Sequence, residues 1–212
     1  VPVFKEMKVQ VPLGEVMRRL GRKKSMSVTP GLAAMVNEEV EHCRELMGPM
    51  AVFDRFAITH ERGGIVSIKD AFSIHSGNLS DWVAGCDELV IMVVTVGPDI
   101  VARARRLIEE GEVTRAMIVD AIGSETVEEL ADVVNRIIRN TVRKAATKRY
   151  SPGYGDWKVT DQKALLGLVG AEEIGVTVNE ASQMIPEKTI SAVIGLAGME
   201  GAAGGCRRQG GT

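Results

Sequence analysis

The side chains best suited to bind something sit together between Arg149 and Trp157, in the string Arg-Tyr-Ser-Pro-Gly-Tyr-Gly-Asp-Trp. Both tyrosines of the 212-residue chain, one of its two tryptophans and a guanidinium fall in this short stretch. A planar guanidinium can hold a carboxylate through two donors, and aromatic rings offer faces to flat or cationic groups. The backbone has to turn here. Pro152 has no amide hydrogen and biases Ser151 toward extended geometry, while Gly153 and Gly155 reach angles that other residues resist. Two readings follow: a binding loop at the end of a helix, or a helix-terminating loop whose rings cover the end of a core.

Other chemistry-bearing residues are less organised. His42 and Cys43 are adjacent on a helical pattern and so do not face one another, which makes them a surface histidine beside a core thiol. His75 stands at the end of a strand with no acid or cysteine at catalytic spacing, and a structural role is the simpler reading. Gly97 opens a helix but stands alone, without a glycine-rich phosphate fingerprint. Cys43, Cys86 and Cys206 are too far apart for a short metal-binding pair, and an odd number makes no closed disulfide set, so reduced thiols and a cytoplasmic location are expected. A net charge of -2, with 45% apolar and 25% charged residues, supplies no global field for nucleic acid or anionic lipid. No leader-type pattern opens the sequence, and its most apolar run, Leu89 to Val96, is too short to span a bilayer.

The elements that must carry the motif are legible as patterns. Met7 to Pro12 alternates like a short strand, and Leu13, Val16, Met17 and Leu20 mark a helix stopped by Gly21. Arg18, Arg19, Arg22, Lys23 and Lys24 form a basic cluster, read as a solvated helix end or as a docking patch for an acidic partner. Thr29-Pro30 caps a helix that ends at Gly48-Pro49. Met50 to Ile58 and Ile65 to Ile68 suggest a hairpin through Glu61-Gly64, with a further strand over Phe72–Ser76 and a short helix capped by Ser80. Glu88 to Val96 reads as a strand buried on both faces, followed by a helix through Ile108. Thr114 to Lys148 reads as one very long helix, with a bend at Gly123-Ser124 and a buried stripe of Ile122, Val127, Leu130, Val134, Ile137, Thr141 and Ala145. After the motif come a short helix over Asp161–Gly167, a strand from Glu172 to Val178, a turn or short helix over Asn179–Ile185, and a strand from Ile190 to Leu196. This order of elements predicts an α+β fold with an antiparallel-rich sheet. Residues 1–196 form the expected domain, and 197–212 a flexible Gly-rich tail.

Taken together, Arg149-Tyr-Ser-Pro-Gly-Tyr154-Gly-Asp, Leu165-Leu166, Ile174-Gly-Val-Thr-Val-Asn-Glu180, Met184-Ile-Pro186 and Thr189-Ile-Ser-Ala192 resemble, in order and spacing, the activation domain of cobalamin-dependent methionine synthase. The first half of the chain resembles short stand-alone versions of that domain. The resemblance implies a single curved domain that binds S-adenosylmethionine. It also implies docking on a cobalamin-binding subunit or another corrinoid protein, with flavodoxin or another one-electron donor supplying the electron for remethylation of cob(II)alamin. On this reading Arg149 holds the ligand's carboxylate, the backbone at Ser151 and Gly153 meets the adenine edge, Tyr154 offers its ring and hydroxyl, and Glu128 pairs with the amino group. The chain departs from the family where Arg143 and Ser124 replace acids, and where a tyrosine beyond the last strand has no counterpart.

Two lost acids weaken attraction for a cationic ligand, which keeps a second reading open: an interaction module that docks on a cobalamin-binding domain without a working S-adenosylmethionine site. With no Asp-x-His-x-x-Gly string and no cysteines grouped for zinc, the chain is not a complete methionine synthase by itself. An independent methyltransferase is disfavoured because no candidate general base lies near the motif.

Overall fold

The computed structural model describes residues 2–21, 29–68, 71–142 and 144–198. Its main sheet contains β1 (Val3–Phe4), β2 (Met50–Glu61), β3 (Ile65–Ile68), β4 (Phe72–His75), β5 (Glu88–Thr95), β6 (Ala145–Ala146) and, after the small β7–β8 ribbon (Thr177–Val178 and Met184–Ile185), β9 (Thr189–Ala197). The strand order is β4-β3-β2-β5-β9-β6, with β1 beside β2, and every pairing is antiparallel. The helices are α1 (Leu13–Arg19), α2 (Pro30–Leu46), α3 (Gly77–Trp82), α4 (Asp99–Glu109), α5 (Val113–Thr141) and α6 (Gln162–Leu168). The fold is therefore α+β with a central antiparallel sheet and one long helix, as the pattern of elements predicts.

β5 explains the layering. Its run of Val, Leu, Ile and Met is buried on both faces. Leu89, Ile91 and Val93 face one core with Leu79, Trp157 and Leu165, and Val90, Met92 and Val94 face another beneath Val127, Leu130, Val134 and Ile138 of α5. The N-terminal half of α5 belongs to a third core, where Ile118 and Ile122 pack with Val16 of α1, Val40 of α2 and Ile100 of α4. The helix runs unbroken through Gly123. A side chain there would meet the Ile100 methyl at 2.6 Å, so the glycine lets α4 pack close.

Several expectations shift. α5 stops at Thr141, not Lys148. Beyond it the Lys144 ammonium lies 2.9 Å from Asp87 and 2.8 Å from Glu88, and Ala145–Ala146 joins the edge of β9. Sheet pairing overrides the helical propensity of the alanines. The buried stripe accordingly ends on Ile138, one turn beyond Val134, while Ile137 is half-buried and Thr141 exposed. Met7 to Pro12 is extended but unpaired in any ladder, because Val3–Phe4 takes the edge of β2 beside Ala51 and Val52. Ser76, not Ser80, caps α3 by accepting from the Leu79 amide at 3.0 Å. The segment expected as a strand from Glu172 begins as a 3-10 turn, Ala171–Ile174, and only Thr177–Val178 is strand.

Of the basic cluster, Arg18 pairs with Glu15, and Arg19 with Glu125 at 2.5 Å; Arg22, Lys23 and Lys24 lie outside the described residues. So do Arg143 and most of the Gly-rich tail, with Cys206. No helix among the described residues is long and apolar enough to cross a membrane.

A buried charge cluster ties three helices together. Glu39 of α2 is wholly buried; its Oε2 accepts from Arg103 of α4 at 2.9 and 2.7 Å, and its Oε1 from Arg115 of α5 at 2.8 Å. Burial pushes the Glu39 carboxyl up, but hydrogen bonds and charges from Arg115 and Arg103 outweigh it and hold the group below its ordinary value. One turn away, burial and then the Glu39 charge push the Cys43 thiol up to about 12, leaving it inert. Because the folded-state pKa of Glu39 is depressed, its stabilisation is present above the unfolded value of about 4.3 and is lost as pH falls through the folded one. Glu39→Gln should cost about 2–4 kcal/mol at pH 7 and flatten the acid limb of the stability profile, as checked by urea unfolding at several pH values.

Candidate functional site

The motif is an ordered loop, built as its residue types require. Tyr150 still belongs to the sheet: its amide and carbonyl pair with Val193 of β9 at 2.9 and 2.8 Å. The chain then closes two turns, with the Tyr154 amide donating to Ser151 at 3.3 Å and the Trp157 amide donating to Tyr154 at 3.0 Å. Gly153 and Gly155 have φ of 90° and 57°, in the left-handed region. Gly155 has a second constraint, since a Cβ there would sit 2.1 Å from Asn78 Nδ2 and 2.7 Å from the Tyr150 hydroxyl.

The rings order the loop from below. Trp157 is buried, its indole donates to Asp161 at 3.1 Å, and its ring stacks on Tyr150 with centroids 6.0 Å apart and 3° between planes. Trp82 of α3 also packs on Tyr150, with centroids 5.3 Å apart, and donates from Nε1 to the Lys148 carbonyl at 3.0 Å. Asp156 then clasps the start of α3: it accepts from the Ser76 hydroxyl and from the Gly77 and Asn78 amides at 2.8 and 3.2 Å. The Ser76 hydroxyl, joined by the two amides, holds the Asp156 carboxyl below its usual range. So the core-covering reading of the loop holds for Tyr150 and Trp157, while Tyr154 remains 64% exposed.

Arg149 connects this loop to α5. Its Nη2 lies 3.0 Å from Asp132 Oδ1 and 3.4 Å from Glu128 Oε2. Its Nη1 is buried and has no hydrogen-bond partner, an open donor in an otherwise satisfied region. Of the sequence candidates, Arg149 and Glu128 are thus brought together. Ser151 is half-buried, with its carbonyl used by Tyr154; the Gly153 amide is used by the Trp157 carbonyl at 2.9 Å. His75 is exposed. Ser124, one turn before Glu128, accepts a hydrogen bond from Lys188 at 2.8 Å, and the same ammonium meets Asp120 at 2.6 Å.

Two residues escaped the sequence reading. Asp132 has no motif of its own in the sequence, although its spacing of four from Glu128 puts both on one side of the helix. Asp156 carries no pattern, because its partners are 78 to 80 positions away. Among the described residues no group of His, Cys, Asp and Glu is arranged to hold a metal ion.

No family model matches this sequence, and no curated protein matches it. A solved structure does match in fold: a crystal structure of the MetH reactivation domain bound to AdoHcy, with a TM-score of 0.66 and 14% identity, over 92% of this chain and 78% of that one. At that identity the likeness establishes a related fold.

Gly155→Ala should destabilise the protein by about 1–3 kcal/mol and loosen the Tyr150–Trp157 stack, because the new methyl meets both strain and a blocked space. Near-ultraviolet circular dichroism and a thermal melt check this, and an unchanged aromatic signal contradicts it.

Proposed function

We propose that this chain is an S-adenosylmethionine-binding accessory protein for the reductive remethylation of cob(II)alamin on a partner, either the cobalamin-binding subunit of a methionine synthase or another corrinoid protein. The observation that carries the reading is the placement of the Arg149–Tyr154 turn against Glu128 of α5, in a fold related to the MetH reactivation domain bound to AdoHcy. AdoHcy is the ligand that remains when S-adenosylmethionine has given up its methyl group.

The residues fit such a ligand. An α-carboxylate would satisfy the buried, unpartnered Nη1 of Arg149, while Nη2 keeps its acids. Glu128 is 55% exposed on its side chain and uses Oε2 toward Arg149, which leaves Oε1 for an α-ammonium. Tyr154 presents an exposed ring, tilted against Tyr150 at 6.4 Å, and a hydroxyl, and with the Ser151 carbonyl and Gly153 amide engaged within the loop, the Ser151 amide and Gly153 carbonyl are the backbone edges left for the adenine. When bound, the ligand supplies an electrophilic sulfonium methyl, used once flavodoxin or another one-electron donor has reduced the partner's cobalt. The protein's own part is to orient that methyl and to dock; cobalamin belongs to the partner.

A second reading has one observation in its favour. Lys188 already occupies Ser124, and Arg149 already rests on two carboxylates, so the cationic and anionic groups of the site are mutually engaged. That suits a module that docks on a cobalamin-binding domain without using the ligand site.

Titration calorimetry separates the two. The first reading expects saturable binding of S-adenosylmethionine and at least a tenfold loss in Arg149→Ala, equivalent to about 1.4 kcal/mol. Absence of binding at millimolar ligand, with retained capture of a corrinoid protein, would establish the second.

A further inference from the structure

One face of α5 carries Asp120, Ser124, Glu128 and Asp132 at successive intervals of four residues, so they form a single polar stripe. Two cations from outside the helix lie on it: Lys188 on Asp120 and Ser124, and Arg149 on Glu128 and Asp132. The flanking acids are neutralised elsewhere, Glu125 by Arg19 at 2.5 Å and Glu129 by Arg136 at 3.1 Å. Among the described residues the stripe therefore holds three carboxylates against two cations, one negative charge in excess.

Where that excess resides is a matter of geometry. Lys188 is 2.6 Å from Asp120, and Arg149 is closer to Asp132, at 3.0 Å, than to Glu128, at 3.4 Å. The guanidinium is shared: its hydrogen bond runs to Glu128 and Asp132 lies alongside as an ion pair, so one cation balances two carboxylates. Without Asp132, Arg149 would have only Glu128 to pair with, and the stripe would be neutral.

We infer that Asp132 is a positioning and specificity residue: by sharing Arg149 with Glu128 it leaves part of the Glu128 charge unbalanced, and it gives the site a negative charge that selects a sulfonium ligand over its neutral thioether counterpart. The inference rests on the ligand proposed above. S-adenosylmethionine carries a carboxylate, an ammonium and a sulfonium, one positive charge net, which matches the excess. The thioether left after methyl loss is a net-neutral zwitterion and gains nothing from it. Selectivity of this kind favours release of the spent ligand, because both forms share the same carboxylate, ammonium and adenosine contacts and differ only in the charge at sulfur. Asp132 is 52% exposed on its side chain, so solvent screens the effect, and a nearby unit charge in a largely aqueous setting changes affinity about three- to tenfold.

The test measures dissociation constants of S-adenosylmethionine and S-adenosylhomocysteine for the full chain and for Asp132→Asn and Asp132→Glu at low ionic strength. Wild type and Asp132→Glu should prefer the sulfonium, and Asp132→Asn should reduce that preference about three- to tenfold with little change in melting temperature. A preference unchanged in Asp132→Asn, even if both ligands bind more weakly, overturns the role of Asp132 and leaves the ligand assignment standing. Failure of the wild-type chain to bind either compound overturns the ligand assignment, and this inference with it.

Discussion

The structure depends on one helix being buried twice. α5 places ten residues in two different cores, its first half among α1, α2 and α4 and its second half on the sheet. Each buried Ile, Leu or Val contributes about 1.5–3 kcal/mol, whereas a half-exposed ion pair contributes about 1 kcal/mol or less. The side chains on the outer face are therefore set by the helix and do not set it. Arg149 comes to Glu128 and Asp132 because α5 is fixed and β9 holds Tyr150 in register next to it. The buried Glu39 cluster acts at the same level, fixing α2 and α4 against the first half of the helix through a carboxylate that two guanidiniums share.

The loop is ordered independently of any ligand. Its start is sheet-bonded at Tyr150, its end is anchored by the buried Trp157, and Asp156 links it to the amides of α3. Most of the entropy of ordering such a turn is thus already lost in the folded protein, so a ligand meeting it would not bear that cost. The one large side chain of the motif left exposed is Tyr154, whose carbonyl accepts from the Tyr150 hydroxyl and whose ring is tilted against Tyr150. Division of labour within nine residues follows: Tyr150 and Trp157 build, Arg149 turns to the acids of α5, and Tyr154 is left exposed.

Much of this was legible from local pattern. β5 announced itself by an unbroken apolar run, α2 by Thr29-Pro30, and the motif by Pro152 and its glycines, because each of these signals is a property of adjacent residues. What was missed depended on distant partners. The alternation of Met7 to Pro12 is that of a strand, but a strand needs an edge, and Val3–Phe4 occupies it. The helical pattern through Lys148 is sound in isolation, and β9 draws Ala145–Ala146 away from it. Of the candidate site residues, Arg149 and Glu128 lie together, whereas Asp132 is indistinguishable in sequence from its neighbouring acids until Arg149 is placed beside it.

The departures at the acids also change meaning once partners are known. Counted along the sequence, Ser124 in place of an acid is a lost negative charge near a cationic ligand. In the structure the Lys188 ammonium sits against position 124, donating to the Ser124 hydroxyl while it pairs with Asp120. A carboxylate at 124 would share that ammonium with Asp120, so Lys188 would offset part of its charge locally although the stripe as a whole would carry one more negative charge. The field toward Arg149 and Glu128 is set one and two turns further on, by the acids that Lys188 does not reach. Substitution at 124 therefore removes less attraction than its chemistry suggests, and the electrostatic character of the stripe rests on Glu128 and Asp132, the pair that Arg149 alone has to balance.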